Sequence, residues 1–143
     1  MLLDANILLY ATDPSTALGP SAPSVLVDAL NGRRRVALPW QTIGAFVRIA
    51  TNPRASSQPM TSEEAWGWVE QLLALDITWI PPATEATTRA YGHLARQLNI
   101  TANLVPDALL AALAIEHSLE LWSADTDFAR FPGLRWHNTL AVH

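Results

Sequence analysis

Short apolar runs alternate along this chain with longer stretches in which apolar residues recur every three or four positions. That alternation predicts strands separated by helices. The strand-like runs are Met1 to Leu3, Arg35 to Leu38, Asp76 to Ile80, Leu119 to Trp122 and Leu134 to His137. The helical stretches are Asn6 to Thr12, Val25 to Leu30, Trp40 to Thr51, Thr61 to Leu75, Glu85 to Leu98 and Pro106 to about His117. Breakers punctuate them at Asp13-Pro14, Asn31-Gly32, Asn52-Pro53 and Pro81-Pro82, as turn and cap chemistry requires. Ser15 to Pro23 and Asn99 to Val105 read as loops, and Thr126 to Phe131 as a short turn or helix. Thr61-Ser62-Glu63-Glu64 is a capping box, which makes Glu63 and Glu64 helix-start charges rather than catalysts. Strands alternating with helices predict an α/β fold in three layers, a mainly parallel sheet flanked by helices.

With 143 residues, half of them hydrophobic, the chain suits one domain over residues 1–143 with a real core. The longest apolar stretches, such as Leu109 to Ile115, fall far short of the roughly 20 residues of a membrane span. No signal-peptide pattern opens the chain, so the expectation is a cytoplasmic protein without membrane contact. Cysteine is absent, which excludes disulfides, thiolate zinc sites and cysteine nucleophiles. All nine basic residues are arginines; without lysine, Walker-type ATPases, Schiff-base enzymes and phosphoacceptor receiver domains are excluded as well. A net charge of -4 argues against broad, non-specific nucleic-acid binding and leaves room only for a local site or a basic partner.

Four aspartates stand where such a fold gathers ligands. Asp4 follows the first strand, Asp125 and Asp127 follow the fourth, and Asp107 falls in the first turn of the last long helix; the carboxyl ends of parallel strands and the adjoining helix N-termini share one rim. Each acid taken alone is explained by capping, by the helix dipole or by an Asx-turn. Together they require a compensating cation, because neighbouring carboxylates raise one another's pKa. Mg²⁺, which takes oxygen ligands, is the natural candidate. Asn6, two residues after Asp4, is placed to orient a carboxylate or to meet a phosphate oxygen. His93, His117, His137 and His143 show no metal-ligand spacing, and the six tryptophans read chiefly as core or interface material.

These residues resemble a known family, the PIN-domain ribonucleases, and within it the VapC-type toxins of bacterial toxin-antitoxin pairs. The resemblance spans nearly the whole chain. It rests on Leu3-Asp4-Ala5-Asn6-Ile7-Leu8-Leu9-Tyr10, on Asn103-Leu104-Val105-Pro106-Asp107-Ala108 opening an alanine-rich helix, and on Leu121-Trp122-Ser123-Ala124-Asp125-Thr126-Asp127-Phe128. Leu38-Pro39-Trp40 with Phe46 to Pro53 adds a likeness to an actinobacterial-style VapC subgroup. The resemblance implies a PIN-like fold and Mg²⁺- or Mn²⁺-dependent cleavage of RNA, with tRNA or ribosomal RNA as target. Asp4, Asp107 and Asp125 would be its metal-binding acids, Asp127 a neighbouring acid and Asn6 a supporting polar residue. It further implies a homodimer and a VapB-like antitoxin that lays a helix or tail in an apolar groove.

This chain departs from the family pattern at one place. Many members carry a glutamate on the helix after the second strand, where alignment puts Ala45 or Gly44 here. Glu116 is a poor substitute, since nine residues beyond Asp107 on a helix lie roughly 13 Å along the axis and about half a turn out of phase. Arg48 and Arg54 are candidates for the RNA backbone and equally for structural roles. The leading expectation is therefore an Mg²⁺-dependent endoribonuclease toxin. The alternative is a catalytically weak or silent PIN-like protein that works by binding its antitoxin or another partner; a nuclease of the same chemistry directed at DNA or RNA processing is a third.

Overall fold

The computed structural model describes residues 1–13 and 22–139, with side chains excluded at residues 22–24. Chain order is β1 (Leu2–Leu3), α1 (Ala5–Thr12), α2 (Ala22–Asn31), β2 (Val36–Ala37), α3 (Trp40–Ala50), α4 (Ser62–Leu73), β3 (Thr78–Trp79), α5 (Glu85–Gln97), α6 (Leu104–Glu116), β4 (Leu121–Ser123) and β5 (Trp136–Asn138). A 3-10 helix over Thr126–Arg130 links the last two strands. The strands form one sheet in the order β3-β2-β1-β4-β5, every neighbouring pair parallel. This is the α/β sheet flanked by helices that the hydrophobic pattern predicts.

Strand side chains alternate between the two faces, as a pleated backbone dictates. Leu3 and Val36 enter the core under α1 to α4, whereas Leu2 and Ala37 enter the core under α5 and α6. The first core is filled by Leu8, Ile43, Phe46, Val69 and their neighbours, the second by Leu94, Leu113, Leu121 and Phe128. Most of α6 is buried, including Ala108 and Leu110 to Ala114, so this helix is apolar around nearly its whole circumference rather than striped. Thr42 Oγ1 donates to Leu3 O at 2.6 Å, tying the start of α3 to the end of β1.

Local chemistry sets the helix ends. The capping box on α4 forms in both directions, Glu64 N to Thr61 Oγ1 and Thr61 N to Glu64 Oε1, each at 3.1 Å. The glutamates are thus helix-start charges, as expected. Helix α2 begins at Ala22 rather than Val25, because Pro23 is tolerated in a first helical turn; the rest of the predicted Ser15 to Pro23 loop, 15–21, lies outside the described residues, as does His143. Helix α6 starts at Leu104, two residues before Pro106, for the same reason. The strands are shorter than the apolar runs suggest, and β5 is shifted to Trp136–Asn138, since its ladder follows the length of β4 and not the hydrophobicity of Leu134.

Glu116 has a structural task. Its two carboxylate oxygens accept hydrogen bonds from the hydroxyls of Thr84 and Thr87 in the first turn of α5. Burial alone would raise its pKa, but those bonds, with His117 and Arg89, hold the carboxyl below its usual range. His117 Nε2 stands 2.9 Å from Pro82 O and reinforces the same junction. The tryptophans are divided. Trp40 and Trp66 stack at 6.4 Å and 11° on the outside of α3 and α4, whereas Trp136 donates to Ser123 O from the sheet.

Two substitutions check this account by urea unfolding. Phe46→Ala, which empties a fully buried site, should cost about 3–5 kcal/mol. Glu116→Ala should cost about 1–2 kcal/mol, the value of a charge-assisted pair of bonds, with the cleft chemistry unaffected.

Candidate metal centre

Strand order runs outward from β1 to β3 on one side and resumes with β4 and β5 on the other. The sheet therefore changes direction between β1 and β4, the place where open parallel sheets hold ligands. Asp4 N donates to Trp122 O at 3.0 Å, so these two strands are still joined where β1 stops. Asp4 then acts as the N-cap of α1, and Asp125 caps the 3-10 helix by accepting from Asp127 N at 2.9 Å. The capping roles and a shared site are both realised.

One buried hydroxyl knits the parts together. Ser123 Oγ donates to Asp4 Oδ2 at 2.7 Å, accepts from Asn6 Nδ2 at 3.0 Å and accepts from Asp125 N at 3.0 Å. Asn6 Oδ1 in turn receives Ala124 N at 3.4 Å. Asn6 thus orients the site from behind. Ser123 escaped the sequence reading; its signal was a small hydroxyl residue two positions before Asp125 at the end of an apolar strand.

From the other side α6 brings Asp107 in its first turn. Asp107, Asp125 and Asp127 each place one carboxylate oxygen within 4.8 Å of the others. Asp4 stands beside this trio, with its other carboxylate oxygen, Oδ1, receiving Ala5 N at 2.7 Å. The structure so gives Asp127 a place among the converging acids, while Asp4 is the acid most tied to protein donors. Arg130 lies 3.4 Å from Asp127 Oδ1, which gives that carboxylate a partial counter-charge from outside.

The crowding shows in the protonation chemistry. Burial first, and then the charges of Asp125, Asp4 and Asp127, push Asp107 up to about 6. Burial also raises Asp4, against the bonds from Ser123 and Ala5. Such a cluster has an all-oxygen donor set, some exposure and surplus negative charge, and it fits a hard divalent cation.

The acids open into a cleft whose far wall is α3, through Gln41, Thr42, Ala45, Arg48 and Ile49, with Asn103 on the near side. Ala45 faces the cleft. Gly44 is exposed, with nothing within 4 Å of where a side chain would begin, so Ala45 is the position at which a further acid, from α3, would enter. Arg48 is the basic residue on the described wall; Arg54 is exposed outside the cleft.

An acidic, oxygen-donor centre at the switch point of a parallel sheet defines the class. The family model of the PIN domain matches residues 1–134, and the chain belongs to that family. It is similar to ribonuclease VapC37 of Mycobacterium tuberculosis, 39% identical over 99% of this chain and 98% of the relative. Ribonuclease VapC43 of the same species is 31% identical over 98% and 95%. Among solved structures, VapBC2 of Rickettsia felis bound to a promoter DNA fragment superposes with a TM-score of 0.69 at 22% identity, over 95% of this chain and 96% of that one. VapBC-1 of nontypeable Haemophilus influenzae gives 0.69 at 19% identity, over 96% of each chain; at these identities the likeness is one of fold.

The raised Asp107 pKa has a stability consequence. Between 3.8 and about 6 the folded protein holds more protons than the unfolded chain, so cation-free stability falls as pH rises through that window. Because the group is only partly buried, the loss after screening is about 1 kcal/mol. Urea unfolding in chelator at pH 4 to 7 should show that decline, largely flattened in Asp107→Asn, and added Mn²⁺ should reverse it at the upper end of the range.

Proposed function

We propose that this protein is the toxin of a type II toxin-antitoxin pair and a metal-dependent endoribonuclease that hydrolyses phosphodiester bonds of tRNA or ribosomal RNA. The observation that carries this reading is the convergence of Asp107, Asp125 and Asp127 within 4.8 Å, beside Asp4, at the switch point of the sheet. Membership of the PIN-domain family and similarity to proteins named VapC ribonucleases support it.

Asp4, Asp107, Asp125 and Asp127 would hold Mg²⁺, or Mn²⁺ in its place. When bound, the cation supplies an acidified water for attack on phosphorus and neutralises charge on the phosphate. The remaining work belongs to the chain. Asp107, pushed up to about 6 by burial and by the neighbouring acids, would give up its proton when a cation binds. Ser123 and Asn6 fix Asp4 and the 3-10 turn, so the carboxylates need no rearrangement. Arg48, across the cleft, meets the phosphate backbone. No described helix is long and apolar enough to cross a membrane. The partners would be a VapB-like antitoxin, whose arginine would offset the acidic cleft, and a second copy of the chain.

Ala45 favours a second reading, a weak or silent PIN-like protein that acts by binding, because α3 contributes no carboxylate to the cleft. The two are separated by purifying the protein free of antitoxin. An active enzyme should cut structured RNA with Mg²⁺ or Mn²⁺, stop in chelator, and lose at least about 100-fold of its rate in Asp4→Asn and in Asp107→Asn. Full activity in both variants would exclude the carboxylate mechanism, and absence of Mn²⁺ binding by calorimetry at millimolar metal would favour the silent reading. Ser123→Ala should weaken Mn²⁺ binding about 10-fold or more, measured in the same calorimeter.

A further inference from the structure

Leu9 and Ile49 line the acidic cleft and also a second pocket of about 200 Å³ between α1, the end of α3 and the segment 55–60. Ala50 and Met60 complete its apolar lining, while Tyr10, Asp13 and Gln58 bring polar groups to it. Nearby polar atoms are already spent: Thr12 Oγ1 donates to Leu8 O at 3.0 Å, and Ser56 Oγ accepts from Gln58 N at 3.2 Å. The Gln58 carboxamide and the Tyr10 hydroxyl make no hydrogen bond among the described residues, and Gln58 is exposed.

We propose that this pocket receives one nucleobase of the RNA whose phosphate lies in the acidic cleft, and that it selects the cleavage position; this rests on the ribonuclease reading above. The shared residues put the pocket next to the acids, within a neighbouring nucleotide's reach. Its size is below the roughly 300–1,000 Å³ of drug-sized sites and suits a single planar ring system. Apolar walls and Tyr10 take the faces of a base, and a carboxamide reads its edge with paired donor and acceptor. Charge favours a nucleic acid over a peptide here. Arg48 lines the cleft and exposed Arg54 precedes Ala55 of the pocket in the chain, so two cations are available to attract phosphates that the four aspartates of the cleft and Asp13 of the pocket would otherwise repel.

The test uses the full chain with Ala55→Trp, which fills the pocket from an exposed position, and Gln58→Ala, which removes the edge reader. Cleavage ends are mapped on total RNA with Mn²⁺, with Asp4→Asn as the inactive control. Both variants should retain Asp4-dependent cleavage and Mn²⁺ affinity but shift the nucleotide found beside the cut, with kcat/KM at the original site down about 10-fold or more. Unchanged ends with kcat/KM within about twofold of the parent would overturn the proposal, as would a loss confined to antitoxin binding. A short oligoribonucleotide carrying 2-aminopurine gives a readout independent of cleavage. A fluorescence change on binding the parent protein that both variants abolish supports the pocket even if no RNA is cut, and the failure then belongs to the ribonuclease reading; no difference between parent and variants overturns the pocket.

Discussion

The site depends on β1 and β4 lying side by side up to the point where both stop. The hydrogen bond from Asp4 N to Trp122 O closes that pairing, and one residue later Ser123 presents its hydroxyl to Asp4, Asn6 and the Asp125 backbone. More than a hundred residues of chain separate these partners, yet the strand register leaves almost no freedom in how they meet. Asp107 then needs only the docking of α6 against the same sheet. Carboxylates brought together so tightly oppose one another. Burial first, and repulsion second, raises Asp107 and Asp4 toward the neutral acid, against the two donors lent to Asp4; a cation would offset both.

Much of this was legible in the sequence because the acids sit at element boundaries, where hydrophobic runs end and turn chemistry begins. Asp4, Asp107, Asp125 and Asp127 could be assigned to one rim from topology, and α6 could be drawn from its alanine-rich run. Other features could not. A two-residue strand such as Val36–Ala37 has no periodicity of its own, and its limits are set by partners elsewhere in the chain. Ser123 looked like any polar residue at a strand end, since its importance comes from three partners, one of them 119 residues distant. The division of labour among the acids was equally hidden: it depends on which oxygen each helix cap consumes.

Glu116 and Ala45 form an instructive contrast. The chain retains an acid on α6 far from the cleft, where it fastens two hydroxyls of α5, and places a methyl group on the cleft wall. Position and partner decide what a carboxylate does. The opposite wall of the cleft accordingly carries neutral residues and one cation, through Gln41, Thr42, Ala45, Ile49 and Arg48, and the negative charge is concentrated on the side built by β1, β4 and α6. The cleft thus has two chemically distinct sides.

Helix α6 has a consequence beyond the core it fills. Alanine has no side-chain torsion to adjust, so the buried Ala108, Ala111, Ala112 and Ala114 fix the distance between helix and sheet as spacers of one thickness. A bulkier residue at any of them would lift the helix and carry Asp107 away from Asp125 and Asp127. Asp107 lies within about two helical turns of all four alanines, so the small residues that set the height of α6 above the sheet also set the place of the acid.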